Sequence, residues 1–173
     1  TPLYLNQGGV NTPVSADQSG AAQPATFLGA TPDGSRAFFT STAKLTADAS
    51  PSGADLYRYD AESGELTDLT AGTAAPGGAG VLGATAFSED GSYAYFVAQG
   101  ALAGGATAGQ NNLYVRHEGT TSFIAALASS DDRNWSGPPR ARSQSTQLTP
   151  DGKHLLFTSV RQLDPGYDNA GFK

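Results

Sequence analysis

The sequence predicts an all-β chain made of β-propeller blades, each a sheet of four antiparallel strands, with the propeller incomplete in this chain. Three observations predict it. A ten-residue segment occurs three times, as Thr31-Pro-Asp-Gly-Ser-Arg-Ala-Phe-Phe-Thr40, Ser88-Glu-Asp-Gly-Ser-Tyr-Ala-Tyr-Phe-Val97 and Thr149-Pro-Asp-Gly-Lys-His-Leu-Leu-Phe-Thr158, with its Asp-Gly pairs 57 and 61 residues apart. A second element recurs as Leu3-Tyr4-Leu5, Leu56-Tyr57-Arg58-Tyr59 and Leu113-Tyr114-Val115, and it follows Asp33 and Asp90 by the same 23 residues. No window carries a helical 3.6-residue apolar period with caps. A tandem period of this size is the mark of a repeat architecture.

Each unit reads as four short strands. In the first, residues 26–30 lead into Thr31-Pro-Asp-Gly34, whose Pro and Gly suit a tight turn. Residues 36–42 form the return strand, rich in Phe and Thr as a pleated surface prefers. A longer loop precedes Asp55-Leu-Tyr-Arg-Tyr59, the turn Ala61-Glu-Ser-Gly64 and Leu66-Thr-Asp-Leu-Thr70. The third and fourth strands are joined at Gly8-Gly9, Ser63-Gly64 and Glu118-Gly119 in the three copies. In the second strand Ala37 and Phe39, Ala94 and Phe96, and Leu155 and Phe157 share one face, while Phe38, Tyr95 and Leu156 take the other. Both faces are apolar, as expected of a sheet sandwiched between neighbours.

Composition narrows the classes. The 173 residues suit one domain, and the 22 Gly and 10 Pro stay below the ~25–30% of a low-complexity chain. With 16 acidic residues against 10 Lys and Arg, the net charge is −6, so nucleic acid is not an expected partner. No apolar run reaches the ~18 residues of a membrane-spanning helix. The absence of Cys removes disulfides, thiolate chemistry and Cys-based zinc sites. No Met stands at position 1, so the chain is expected to derive from something longer.

The Thr-Pro-Asp-Gly-x-x-x-x-Phe-Thr-Ser pattern at residues 31–41, followed by Leu56-Tyr57-Arg58-Tyr59-Asp60, resembles the TolB-like, WD-related β-propeller repeat of bacterial envelope and secreted proteins. The resemblance covers nearly all of residues 1–173. It implies the fold and an exported, secreted or periplasmic setting. This repeat serves binding proteins and peptidase accessory domains alike. The loops here are much longer than in the compact repeat, so no partner residue is carried over.

The strands are cut out of phase. Residues 1–22 supply the last two strands of a preceding blade, 23–72 and 73–128 two full blades, 129–144 a long inter-blade loop, and 145–173 the first two strands of a further blade. Three blades' worth of strands cannot close a ring of about 4–8 blades. Two completions are open: the remaining blades come from the same longer chain, or another copy supplies them.

Loop lengths predict where a partner would bind. The first-to-second and third-to-fourth connections are tight turns. The second-to-third connections (43–54, 99–111 and 160–172) and the inter-unit links (71–81 and 128–144) are long, and in an up-and-down blade they emerge at one end. Long loops on a rigid scaffold tend to carry function, so this end is the expected contact face for a protein or glycan. Its candidate binding residues are Asp131, Asp132, Arg133, Trp135, Arg140 and Arg142, because Trp and Arg are favoured at interface hot spots. The alternative is that Trp135 fills the gap between blades while the charges are solvated. A second cluster runs through Asp164-Pro-Gly-Tyr-Asp-Asn169, with Tyr167, Asp168 and Asn169 as candidates. Its oxygen donors suit Ca²⁺, but the spacing matches no calcium loop and a plain turn is the simpler reading.

Catalytic patterns are weak. Gly78-Ala-Gly-Val-Leu-Gly83 fits a dinucleotide fingerprint only in letters, with no strand before it or helix after it. His117-Glu118 sits in a hairpin turn, and His154 aligns with Arg36 and Tyr93 at a variable edge position. No Gly-x-Ser-x-Gly elbow is present. Asn134-Trp-Ser136 matches the glycosylation pattern, which short sequences meet by chance. No enzyme activity, metal or cofactor is expected. The leading expectation is a non-catalytic binding propeller, against an accessory propeller of a larger serine hydrolase or peptidase and a structural module that self-assembles through its open ends.

Overall fold

The computed structural model describes residues 1–72, 77–136 and 145–167. Among the described residues twelve strands form four antiparallel sheets, set side by side. The first is the pair β1 (Tyr4–Gln7) and β2 (Val10–Pro13). The second is β3 (Thr26–Ala30), β4 (Arg36–Ser41), β5 (Asp55–Asp60) and β6 (Leu66–Asp68), hydrogen-bonded in that order. The third repeats it with β7 (Val81–Phe87), β8 (Tyr93–Ala98), β9 (Asn111–His117) and β10 (Thr120–Leu127), and the fourth is the pair β11 (Thr146–Leu148) and β12 (Leu155–Phe157). The first strands of successive units touch, β3 against β7 and β7 against β11, so the units radiate from their inner strands. These are β-propeller blades, two complete and two half-formed.

The apolar residues sort into seams between sheets. Phe38, Leu56 and Leu28 face Ala84, Ala94, Phe96 and Tyr114 across the seam of the two complete sheets. Phe39, Tyr57 and Tyr59 face Leu3, Leu5 and Val14 of the N-terminal pair. Val97, Leu113 and Leu127 meet Leu155 and Phe157 of the C-terminal pair. The alternation of second-strand residues between seams is why both faces of these strands are apolar. In the central seam the rings of Phe38 and Phe87 stack at 4.0 Å between centroids. β3 bulges between Phe27 and Gly29, and a Cβ at Gly29 would stand 3.0 Å from the Phe87 ring. The bulge and the missing side chain together admit that ring.

The repeated turn is held by hydroxyls as well as by Pro and Gly. In the first copy Thr31 Oγ1 donates to Asp33 Oδ1 at 2.6 Å, Ser35 N–H donates to the same oxygen at 3.0 Å, and Arg36 N–H donates to Thr31 Oγ1 at 3.0 Å. Ser88, Asp90, Ser92 and Tyr93 reproduce the network, as do Thr149, Asp151, Lys153 and His154. The Thr31 and Ser88 hydroxyls, with the turn amides, hold the Asp33 and Asp90 carboxyls down to about 2. The position after the turn is more than a variable edge. Arg36 donates to the Asp90 carbonyl of the next turn, and Tyr93 packs beneath Gly152 of the one after.

Candidate functional site

Antiparallel order puts the tight turns at one end of each sheet and the long connections at the other, and the long connections are in contact there. Ala79 N–H donates to Ser50 Oγ at 3.3 Å, and Val81 N–H to the Ala54 carbonyl at 2.8 Å, joining the loops before β5 and β7. Arg161 donates to Gln110 Oε1 at 3.0 Å, joining the segments after β12 and before β9. The elaborated end is a continuous surface of loops.

The link after β10 begins as a short 3₁₀ helix, Ser129–Asn134, where the sequence pattern suggested only loop. Asp131 is the reason. Its carboxylate accepts Ala128 N–H at 2.9 Å, Val160 N–H at 2.9 Å and Ser159 Oγ–H at 2.8 Å. It therefore satisfies the helix start and pins the chain leaving β12. Asn134 adds a donor to the Thr158 carbonyl at 2.7 Å. The expectation of solvated charges is corrected at this residue: Asp131 is buried, at 6% exposure.

Trp135 is also buried, in the seam with Val97, Leu113, Ala125 and Leu127 and against Leu155 and Phe157. Its backbone covers Gly83, where a Cβ would stand 2.3 Å from the Trp135 carbonyl oxygen. This is the gap-filling placement of the two that the sequence left open. Asp132 and Arg133 are exposed on the loop surface. Tyr167 is 57% exposed and follows a turn in which Gly166 N–H donates to Asp164 Oδ1 at 2.8 Å and Tyr167 N–H to the Asp164 carbonyl at 3.1 Å. Arg140, Arg142, Asp168 and Asn169 lie outside the described residues. Of the candidates, then, Asp132, Arg133 and Tyr167 present side chains to solvent, while Asp131 and Trp135 build the platform beneath. Among the described residues no group of three His, Cys, Asp or Glu side chains is arranged to hold a metal ion.

The opposite end carries a feature that sequence reading missed. In the seam between the complete sheets, Arg58 and Arg116 line one cavity of about 250 Å³ with Arg36, Thr67, His117 and Glu118. The two cations come from different repeat positions, because each must face the other sheet. Only the pairing of seams makes their convergence visible.

Among solved structures, several chains are similar to this one, a propeller protein among them. That protein is TolB from Acinetobacter baumannii. The two are 21% identical with a TM-score of 0.47, and the match covers 87% of this chain and 32% of that one. The chain thus spans about a third of that protein's length. No family model matches the sequence, and no curated protein matches it. No helix among the described residues is long and apolar enough to cross a membrane.

Proposed function

We propose that this chain is a non-catalytic propeller segment of a secreted or envelope protein, which binds a protein or glycan partner through its long-loop end. The observation that carries the reading is the asymmetry of the two ends. One end is trimmed to hairpin turns; the other is a joined loop surface resting on buried anchors, Asp131 and Trp135, with Asp132, Arg133 and Tyr167 free to meet a partner. A rigid platform under exposed charged and aromatic side chains limits the ordering cost of binding. The exported setting rests on the repeat pattern at residues 31–41 and 56–60.

The test is site-specific photo-crosslinking in the source cell's envelope fraction and against immobilised glycans. Probes at Arg133 and Tyr167 are expected to capture one and the same partner, and a probe at Ser63 on the hairpin end none. Capture from Ser63 alone, or from no position, overturns the reading. A second reading, assembly through open ends, is favoured by a separate observation: among the described residues β1 pairs only with β2 and β12 only with β11, so each offers an unpaired edge, and Leu156 on β12 is 64% exposed.

A further inference from the structure

The seam cavity at the hairpin end gathers Arg36, Arg58, Arg116 and His117, with Glu118, paired to His117, as the carboxylate on its lining. Arg58 lies on β5 of one complete sheet and Arg116 on β9 of the other, and the two guanidinium groups share one cavity across the seam. Arg58 Nε is buried and makes no hydrogen bond. Arg116 donates to Thr121 Oγ1 at 3.0 Å. Among the described residues neither cation forms an ion pair; the two pairs present are Arg36 with Asp60 and His117 with Glu118. Burial lowers the Arg116 guanidinium; the charge of Asp68 opposes this, and the charge of Arg58 adds to it by less. Asp68 stands in register with Tyr57 on the other face of the sheet, so it does not enter the cavity.

Two like charges facing one another in a half-buried seam, one with an unpartnered N–H, repel each other and lack solvation. The neighbouring groups are already committed. Arg36 is held by Asp60 and the Asp90 carbonyl, and His117 Nδ1 lies 3.2 Å from the Ser92 carbonyl with its ring stacked on Tyr93 at 3.6 Å. They form fixed walls. Two arginines lining one cavity from opposite sheets offer the donors that the paired oxygens of a carboxylate or phosphate take, which Arg binds bidentately.

We infer that the Arg58–Arg116 cavity is a binding site for a small oxyanion, a carboxylate or phosphate group bridging the two guanidinium groups across the seam. Its walls come from the two complete sheets, so it is formed whatever completes the ends. It lies at the opposite end from the proposed partner surface and does not depend on it.

The probes are inorganic phosphate and succinate, titrated into the full chain in low-chloride buffer and followed by calorimetry and by arginine Nε–H resonances. At least one is expected to bind with a dissociation constant at or below about 1 mM, to weaken as NaCl is raised, and to shift the Arg58 and Arg116 signals. Phosphate alone, succinate alone or both would each support the site and name its ligand class. Arg116→Gln should weaken binding at least about tenfold, whereas Lys44→Gln, an exposed cation away from the cavity, should leave it unchanged. Without ligand, the melting temperature of Arg116→Gln reads the fold separately from binding, since the variant gives up the Thr121 hydrogen bond and the attraction of Asp68 together with the repulsion of Arg58. Should that variant fail to fold, Arg58→Gln makes the same test. Binding no tighter than chloride, or unaltered in both variants, overturns the inference.

Discussion

Two seams of this molecule are built from the same repeat positions, and one is filled where the other is open. Between the complete sheets Phe38 is fully buried, stacked on Phe87, and Gly91 of the next turn closes over Thr31, Arg36 and Phe38. At the N-terminal end Ala30 and Gly34 hold the positions of Phe87 and Gly91, with only β1 and β2 opposite them. There an apolar notch of about 180 Å³ is lined by Leu5, Val14, Phe27, Ala30, Gly34 and Tyr59. The difference shows what the inner pair of a blade contributes: its second strand supplies the large side chain that fills the neighbour's inner surface. The C-terminal pair carries that side chain without a neighbour, as exposed Leu156.

The largest effect should come from truncating one repeat position in both contexts. Phe38→Ala is expected to cost about 3–5 kcal/mol in denaturant unfolding, the usual range for a buried aromatic. Leu156→Ala should change stability by no more than ~0.5 kcal/mol. Equal costs would break the comparison and mean that Leu156 is covered in solution. Sedimentation of Leu156→Asp would then separate assembly from a monomer: dissociation of an oligomer by that charge supports closure by a second copy, and a monomer unchanged by it does not.

The turn glycines sharpen the same contrast. Gly34 and Gly152 have similar left-handed φ values, 74° and 77°, so Ala at either meets the same backbone penalty of about 1 kcal/mol. Their surroundings differ. A Cβ at Gly152 would stand 2.5 Å from Tyr93 Cδ2 and 2.8 Å from Ser88 Cβ, while nothing lies within 4 Å at Gly34. Gly152→Ala should therefore cost about 1–3 kcal/mol more than Gly34→Ala, as read from urea midpoints. Equal penalties would show either that a neighbour also covers Gly34 or that the last turn is not seated on Tyr93.

Much of this was legible because it is local or periodic. Asp33, Asp90 and Asp151 announce the turn by spacing alone, and the alternation of Phe38 with Phe39 announces a sheet covered on both faces. The hydroxyls of Thr31, Ser88 and Thr149 were present in the pattern too, as the residues two before each Asp, although Pro and Gly drew the turn assignment. Contacts between units left no such trace. Asp131 looks like any acidic loop residue until Val160 and Ser159 return to it from the far side of β12, and Trp135 gives no sign of which seam it enters. Arg58 and Arg116 are hidden by a chain-wide excess of acid, and they meet only because successive sheets present opposite faces.

The outer strand of the first complete sheet gives the smallest and most specific test. With its neighbour β5 it carries opposite groups on the two faces, Arg58 Nε of β5 toward the central seam and its own Asp68 Oδ2 on the Tyr57 side, both atoms buried without a hydrogen bond. Burial raises the Asp68 carboxyl to about 6, against donation from Thr70 and with Asp55 and Asp48 adding repulsion. Because the folded value lies above the unfolded one, near 3.8, the native state binds the extra proton between them and stability falls as pH rises through that window. Above about 6 the full cost is present; below the unfolded value it is absent. Asp68→Asn keeps an acceptor for the Thr70 amide and removes the charge, so it should stabilise the chain by about 2 kcal/mol at pH 8 and by little at pH 4. A gain equal at both pH values would mean that packing rather than ionisation is at issue. A loss at pH 8 would mean that the carboxylate is compensated, and that the N-terminal seam is closed around it after all.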